Sequence, residues 1–239
     1  MSASNDGLTL YGKLYSDTIV LRALVSAIPS IGPMTDMAIS KIIEKINEKR
    51  KREFFEELKN GKIELTKEII ENEDFLHCFF ITYNAAIRTR TNEKIRYFGK
   101  LLCGALESST FHDINDYEEI LGIVSDLSER EMKILIILDD IETKYPKTEK
   151  ESELAHADRC WKEFADAVSP DLCDKSELEA LMVRLTRSGC YLQIVGSYLG
   201  YSGNRGKITP LFRRIRKIAK LEYERNSETG IGSNTETVE

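Results

Sequence analysis

At 239 residues, with 41% hydrophobic and 31% charged side chains, the chain has globular composition and the length to bury one or two cores, which excludes a wholly disordered or fibrous protein. Its formal charge of −6 is spread unevenly: +2 over residues 1–106, −11 over 107–173, +6 over 174–225 and −3 over 226–239. An acidic middle beside a basic C-terminal module implies either different partners for different surfaces or two modules that attract each other.

The most apolar stretch, Thr18 to Met34, is interrupted by Arg22 and broken by Pro29, Gly32 and Pro33, so it falls short of the roughly 20 residues a membrane span needs. No basic-then-apolar signal pattern opens the sequence. The five scattered cysteines, Cys78, Cys103, Cys160, Cys173 and Cys190, are therefore expected as reduced thiols in a cytoplasmic protein. Ile19, Val20, Leu21, Leu24, Val25 and Ile28 share one helical face, and Pro29 ends that helix. Pro33 suits the first turn of the next, which should run to about Lys59 with Gly61 just past its end. Its stripe is Met34, Met37, Ile42, Ile43, Ile46, Phe54, Phe55 and Leu58. The intervening Lys49–Arg52 run is flanked by Glu48, Glu53, Glu56 and Glu57, and pairs four apart such as Glu48–Arg52 predict a self-neutralised exposed face.

Phe75 to Ile87, with Phe75, Phe79, Phe80 and Tyr83, predicts a buried helix. Thr91 is placed to cap another that carries Ile95, Phe98, Leu101, Leu102 and Leu106. A short helix is expected over Tyr117 to Val124. Ser128-Glu129-Arg130-Glu131 and Asp174-Lys175-Ser176-Glu177 are capping boxes. The first opens a helix with Met132, Leu135, Ile136 and Leu138. A long charged connection, Lys144 to Glu153, leads to a helix around Trp161, Phe164 and Val168. The second box opens a helix with Leu178, Leu181, Met182 and Leu185, which Gly189 stops. Tyr191–Val195 reads as a strand, Gly196 to Gly206 as a glycine-rich excursion, and Lys207–Thr209 as a returning strand. Thr209-Pro210 then starts a final helix through Lys220.

The predicted fold is mainly α. A helical domain covers 1–126, a winged helix with a small β-ribbon covers 127–225, and a disordered polar tail covers 226–239. Leu181, Leu185, Ile194, Ile208 and Leu211 are expected in one core with Leu135 and Trp161.

Ser188-Gly189-Cys190-Tyr191 and Ile208-Thr209-Pro210-Leu211-Phe212-Arg213-Arg214 resemble bacterial winged-helix proteins, in which a leucine-rich helix ends in glycine before a wing and a Leu-Thr-Pro-Leu-Gly-Arg helix start; Phe212 stands where glycine is commoner. More broadly, the layout is similar to the bacterial abortive-infection alpha family. Gly32-Pro33-Met34-Thr35-Asp36 echoes its Gly-Pro-x-x-Asp element, and Leu127-Ser128 echoes the start of its later helix. The resemblance covers residues 32–220 in order of elements. It implies a bacterial protein linked to phage defence and supplies no catalytic residues.

No Gly-x-Ser-x-Gly elbow, His-Glu-x-x-His helix or dinucleotide loop is present, so neither an enzyme active site nor a cofactor is expected. Gly200 to Lys207 misses the phosphate-loop spacing and has Ile208 where Ser or Thr would hold magnesium, so a hairpin tip is the better reading. His156 and Cys160, four apart and without a Cys-x-x-Cys pair, read as a surface histidine and a core cysteine, and no metal is expected. Candidates for contact with nucleic acid or a protein partner are Arg184, Arg187, Arg205, Lys207, Arg213, Arg214, Arg216 and Lys217, though a solvated helix face explains the last four as well. Mixed charge at Lys175, Glu177 and Glu179 argues against base reading by that helix. A second basic cluster is Arg88, Arg90, Lys94 and Arg96, read either as an anion or nucleic-acid site or as a charged helix junction.

These readings predict a non-enzymatic helical regulator or sensor whose winged helix binds nucleic acid or protein. The alternative is a membrane-active effector that releases its Ile19–Ile28 segment; the sequence also allows a homo-oligomer. Arg205→Ala is expected to leave folding untouched.

Overall fold

The computed structural model describes residues 37–61, 66, 69, 71–107, 114–195 and 205–222, with side chains from residue 44 onward. The Thr18–Met34 segment, the glycine-rich excursion at 196–204 and the tail expectation lie outside the described residues. Among those described, the protein is mainly helical with a small two-stranded antiparallel sheet, and no helix is long and apolar enough to cross a membrane.

The helices are α1 (Met37–Asn60), α2 (Glu73–Arg88), α3 (Asn92–Glu107), α4 (Ile114–Asp126), α5 (Glu129–Lys144), α6 (Glu153–Val168), α7 (Lys175–Leu185) and α8 (Pro210–Ile218). Strand β1 (Tyr191–Gln193) pairs with β2 (Gly206–Ile208), and their register sets Tyr191 opposite Ile208 and Leu192 opposite Lys207. They form two compact units. One takes in the described residues up to Glu129 together with Pro210–Lys220; the other takes in Arg130–Thr209 with Leu221 and Glu222. Where the sequence suggested a boundary at residue 126 with everything to 225 beyond it, α8 groups with the first unit.

Aromatic packing dominates the first unit. The Phe79 and Tyr83 rings stack 6.2 Å apart on α2, and Phe54 of α1 meets Tyr83 edge-on at 5.9 Å. Asn72, a cap not read from the sequence, accepts from the Phe75 amide at 2.9 Å and starts α2. Arg50 donates to the Ile87 carbonyl at 2.7 Å, and Glu53 pairs with Arg96 at 3.3 Å, so the α1 charge run reaches neighbouring helices as well as its own Glu48. Tyr117 is fully buried with its hydroxyl 2.6 Å from that of Thr82, and burial pushes its titration up. Helix α8 lies so close to α3 that a Cβ built on Gly104 would fall 1.7 Å from the Ile218 carbonyl oxygen.

The second unit has a more aliphatic core. Ten of the sixteen residues of α5 are buried, including Ile134, Ile137 and Ile141 as well as the face read from sequence. The second capping box places the start of α7 correctly, but the Asp174 side chain makes no cap hydrogen bond. Ser152 starts α6 by accepting from the Ala155 amide at 3.1 Å. Gly189 ends the turn after α7 at φ 70°, a left-handed backbone that glycine adopts without a Cβ clash. Glu142 is buried and accepts from the Ile208 amide at 2.9 Å, which ties β2 to α5.

Four side chains, Trp161, Ile194, Leu211 and His156, differ in placement from expectation. Trp161 is half-buried rather than central, and the Arg205 guanidinium covers its ring at 4.0 Å. Ile194 and Leu211 are also only half-buried, and Leu211 belongs to the unit without the ribbon. His156 is buried rather than at the surface: its Nε2 donates to the Tyr145 carbonyl at 2.7 Å and lies 3.6 Å from the Cys160 sulfur.

Candidate functional site

The first unit contains a cleft of about 860 Å³ where α2 ends, α3 begins and one face of α4 forms the wall. Its geometry follows from a short run, Arg88-Thr89-Arg90-Thr91. Thr89 adopts an extended backbone that terminates α2; its amide donates to the Ala86 carbonyl at 3.1 Å and its hydroxyl to that of Ala85 at 2.9 Å. Three residues later α3 begins, so Arg88 and Arg90 flank the turn and both line the cleft.

Lys94, on the first turn of α3, also lines it, but its ammonium is committed. It donates to the Ser125 and Leu127 carbonyls at 2.6 Å each, at the C-terminal end of α4, where a cation meets the negative end of the helix dipole. Its charge fixes the wall of the cleft and still adds to the local field. Ile81, Leu121 and Phe98 contribute apolar lining. Two acids lie on the same rim, Glu118 and Glu129; Glu118 is held by the His77 ring at 2.6 Å. Arg96 is absent from the cleft because it pairs with Glu53 on α1.

The structure thus splits the second basic cluster: Arg88, Arg90 and Lys94 come together, and Arg96 does not. Leu121, Glu118 and the Ser125 carbonyl were not singled out from sequence. They lie some thirty residues from the arginines, on a helix whose only readable signal was its own apolar face.

The cations expected to contact nucleic acid or protein are spent on neighbouring acids in the second unit. Arg184 Nε donates to Glu131 at 3.0 Å and Arg187 lies 3.7 Å from the same carboxylate, whose side chain is 2% exposed. Arg205 pairs with Asp158 at 3.2 Å and Glu179 at 3.1 Å as well as covering Trp161. Lys207 pairs with Glu153 at 2.9 Å, and Lys147 reaches the same carboxylate at 2.9 Å. These two ammonium groups hold the Glu153 carboxyl down at about 2. On α8, Arg214 pairs with Asp116 within the first unit; Arg213 and Lys217 are exposed and Arg216 is half-buried. The eight residues therefore belong to two units, four to each.

All five cysteines are buried free thiols, and burial pushes each of them up, Cys78 to about 11 and Cys103 to about 12. Burial disfavours the Cys160 thiolate, and the His156 ring packs 3.6 Å from its sulfur. Among the described residues, no three His, Cys, Asp or Glu side chains group closely enough to hold a metal ion.

Comparison with known proteins gives no match: no family model, curated protein or solved structure is detectably similar to this chain.

Proposed function

We propose that the chain is a non-enzymatic regulator or sensor whose ribbon-bearing region is a winged helix that docks a protein partner rather than nucleic acid. The observation that carries this reading is the internal pairing of the cations on α7, the turn after it and the ribbon: Arg184 and Arg187 on Glu131, Arg205 on Asp158 and Glu179, and Lys207 on Glu153. A phosphate backbone would have to displace those carboxylates, and they would repel it. Meanwhile Leu192 is 53% exposed and Val195 88% exposed, which gives the ribbon an apolar surface of the kind protein interfaces use.

The winged-helix part of the proposal rests on element order: α5, α6 and α7, then a hairpin in antiparallel register, then a helix opened by Pro210. The grouping of α8 with the first unit is its point of departure from a self-contained module. A role in bacterial phage defence rests on the sequence resemblance alone, and a plaque assay on expressing cells tests it: unchanged plating efficiency across diverse phages would count against it.

Fluorescence anisotropy with random duplex DNA, titrated with salt, tests the choice of partner class. The expected result is no binding even at low salt. Binding that weakens linearly in log–log with added salt would restore nucleic acid as the partner.

A further inference from the structure

Arg88 and Arg90 contrast with the ribbon cations. Among the described residues neither makes an ion pair, both are exposed, and both line the cleft at the end of α2. Two guanidiniums presented together suit a ligand with two negative charges, because each planar fork of N–H donors can take a pair of phosphate oxygens. A single carboxylate would leave one of them unused. The cleft, at about 860 Å³, is also far larger than a bare oxyanion and falls within the range of small-molecule sites. Ile81 and Ala85, both half-buried, offer apolar surface beside the charged rim, over the buried Leu121 and Phe98. The acids on that rim, Glu118 and Glu129, disfavour a ligand that carries negative charge along its whole length and confine the anion to the arginine end.

We infer that this cleft binds a small phosphate monoester, with the phosphate held by Arg88 and Arg90 and a partly apolar body laid against the half-buried Ile81 and Ala85. Lys94 acts as a positioning residue: its bonds to the Ser125 and Leu127 carbonyls hold the start of α3 against the end of α4 and so fix the width of the cleft. The site lies wholly within the first unit and does not depend on what the ribbon binds.

Calorimetric titration of the full chain with adenosine monophosphate, phenyl phosphate, adenosine and inorganic phosphate tests the inference. Both esters should bind, and the best of them at least about tenfold more tightly than adenosine or inorganic phosphate. The double substitution Arg88→Gln with Arg90→Gln should weaken ester binding at least about tenfold without moving the melting temperature, since both side chains are exposed. Affinity should fall as pH drops through about 6, where a phosphate monoester loses its second charge. Absence of heat from both esters, inorganic phosphate binding as tightly as the esters, or affinity unchanged in the double variant would each overturn the proposal.

Discussion

Arg184, Arg187, Arg205 and Lys207 in the ribbon-bearing unit reach carboxylates, whereas Arg50 and Lys94 in the other unit reach backbone carbonyls and Arg88 and Arg90 reach neither among the described residues. Arg184, Arg205 and Lys207 each hold an acid, while Arg50 holds the end of α2 and Lys94 the end of α4. A cation on a carboxylate neutralises it and is itself used up. A cation on a helix C-terminus satisfies orphan carbonyls and leaves neighbouring arginines uncommitted. The difference shows how one chain can leave the cations at one site quenched by carboxylates and those at another uncommitted. It also makes the two units differ in their response to acid, salt and substitution.

Leu185→Asp should have the largest effect. Leu185 is fully buried, and an unpaired carboxylate there should cost about 4 kcal/mol or more. Hydrogen exchange should then show lost protection over Arg130–Thr209 with α1 to α4 still protected; simultaneous loss across both would show that the units unfold as one. Gly104→Val comes next. Its Cβ would meet the Ile218 backbone, which cannot rotate away, so a loss of about 3 kcal/mol is expected, with exchange rising at Pro210–Ile218.

Glu142→Ala should cost about 1–3 kcal/mol by leaving the buried Ile208 amide without this acceptor, whereas Glu142→Gln, which keeps an acceptor oxygen, should cost less. Urea midpoints of the two variants decide it, and equal losses would sink the role of this bond. Arg205→Ala, expected from sequence to be silent in folding, should instead cost about 1 kcal/mol, because the guanidinium covers Trp161 and bridges two acids; a red shift of the tryptophan emission should accompany it.

The smallest effect concerns acid. The Glu153 carboxyl is held down from the ordinary 4.5 to about 2, so its contribution is full above 4.5 and is lost as pH falls toward 2. Water screens this half-exposed site, so Lys207→Met should remove under about 1 kcal/mol and make the acid limb of stability shallower. An unchanged acid limb would mean that the pair adds nothing to the folded state.

Sequence by itself determined the helices and the ribbon wherever the deciding forces are local. Pro210, Gly189 and the start of α7 after Asp174 act within a few residues of themselves, and the strands expected over Tyr191–Val195 and Lys207–Thr209 form over Tyr191–Gln193 and Gly206–Ile208. It also located Arg88, Arg90 and Lys94 as a cluster, because they crowd one helix junction. Only the tertiary structure decided what the charges do. Whether a cation finds an acid, a carbonyl or an aromatic ring depends on residues far away in the chain, such as Arg205 on Trp161 or Lys94 on Leu127. The same holds for the burial of Glu131 and Glu142, and of His156, which was expected at the surface: a polar side chain goes inside only where folding brings it a partner, and no local pattern encodes that partner.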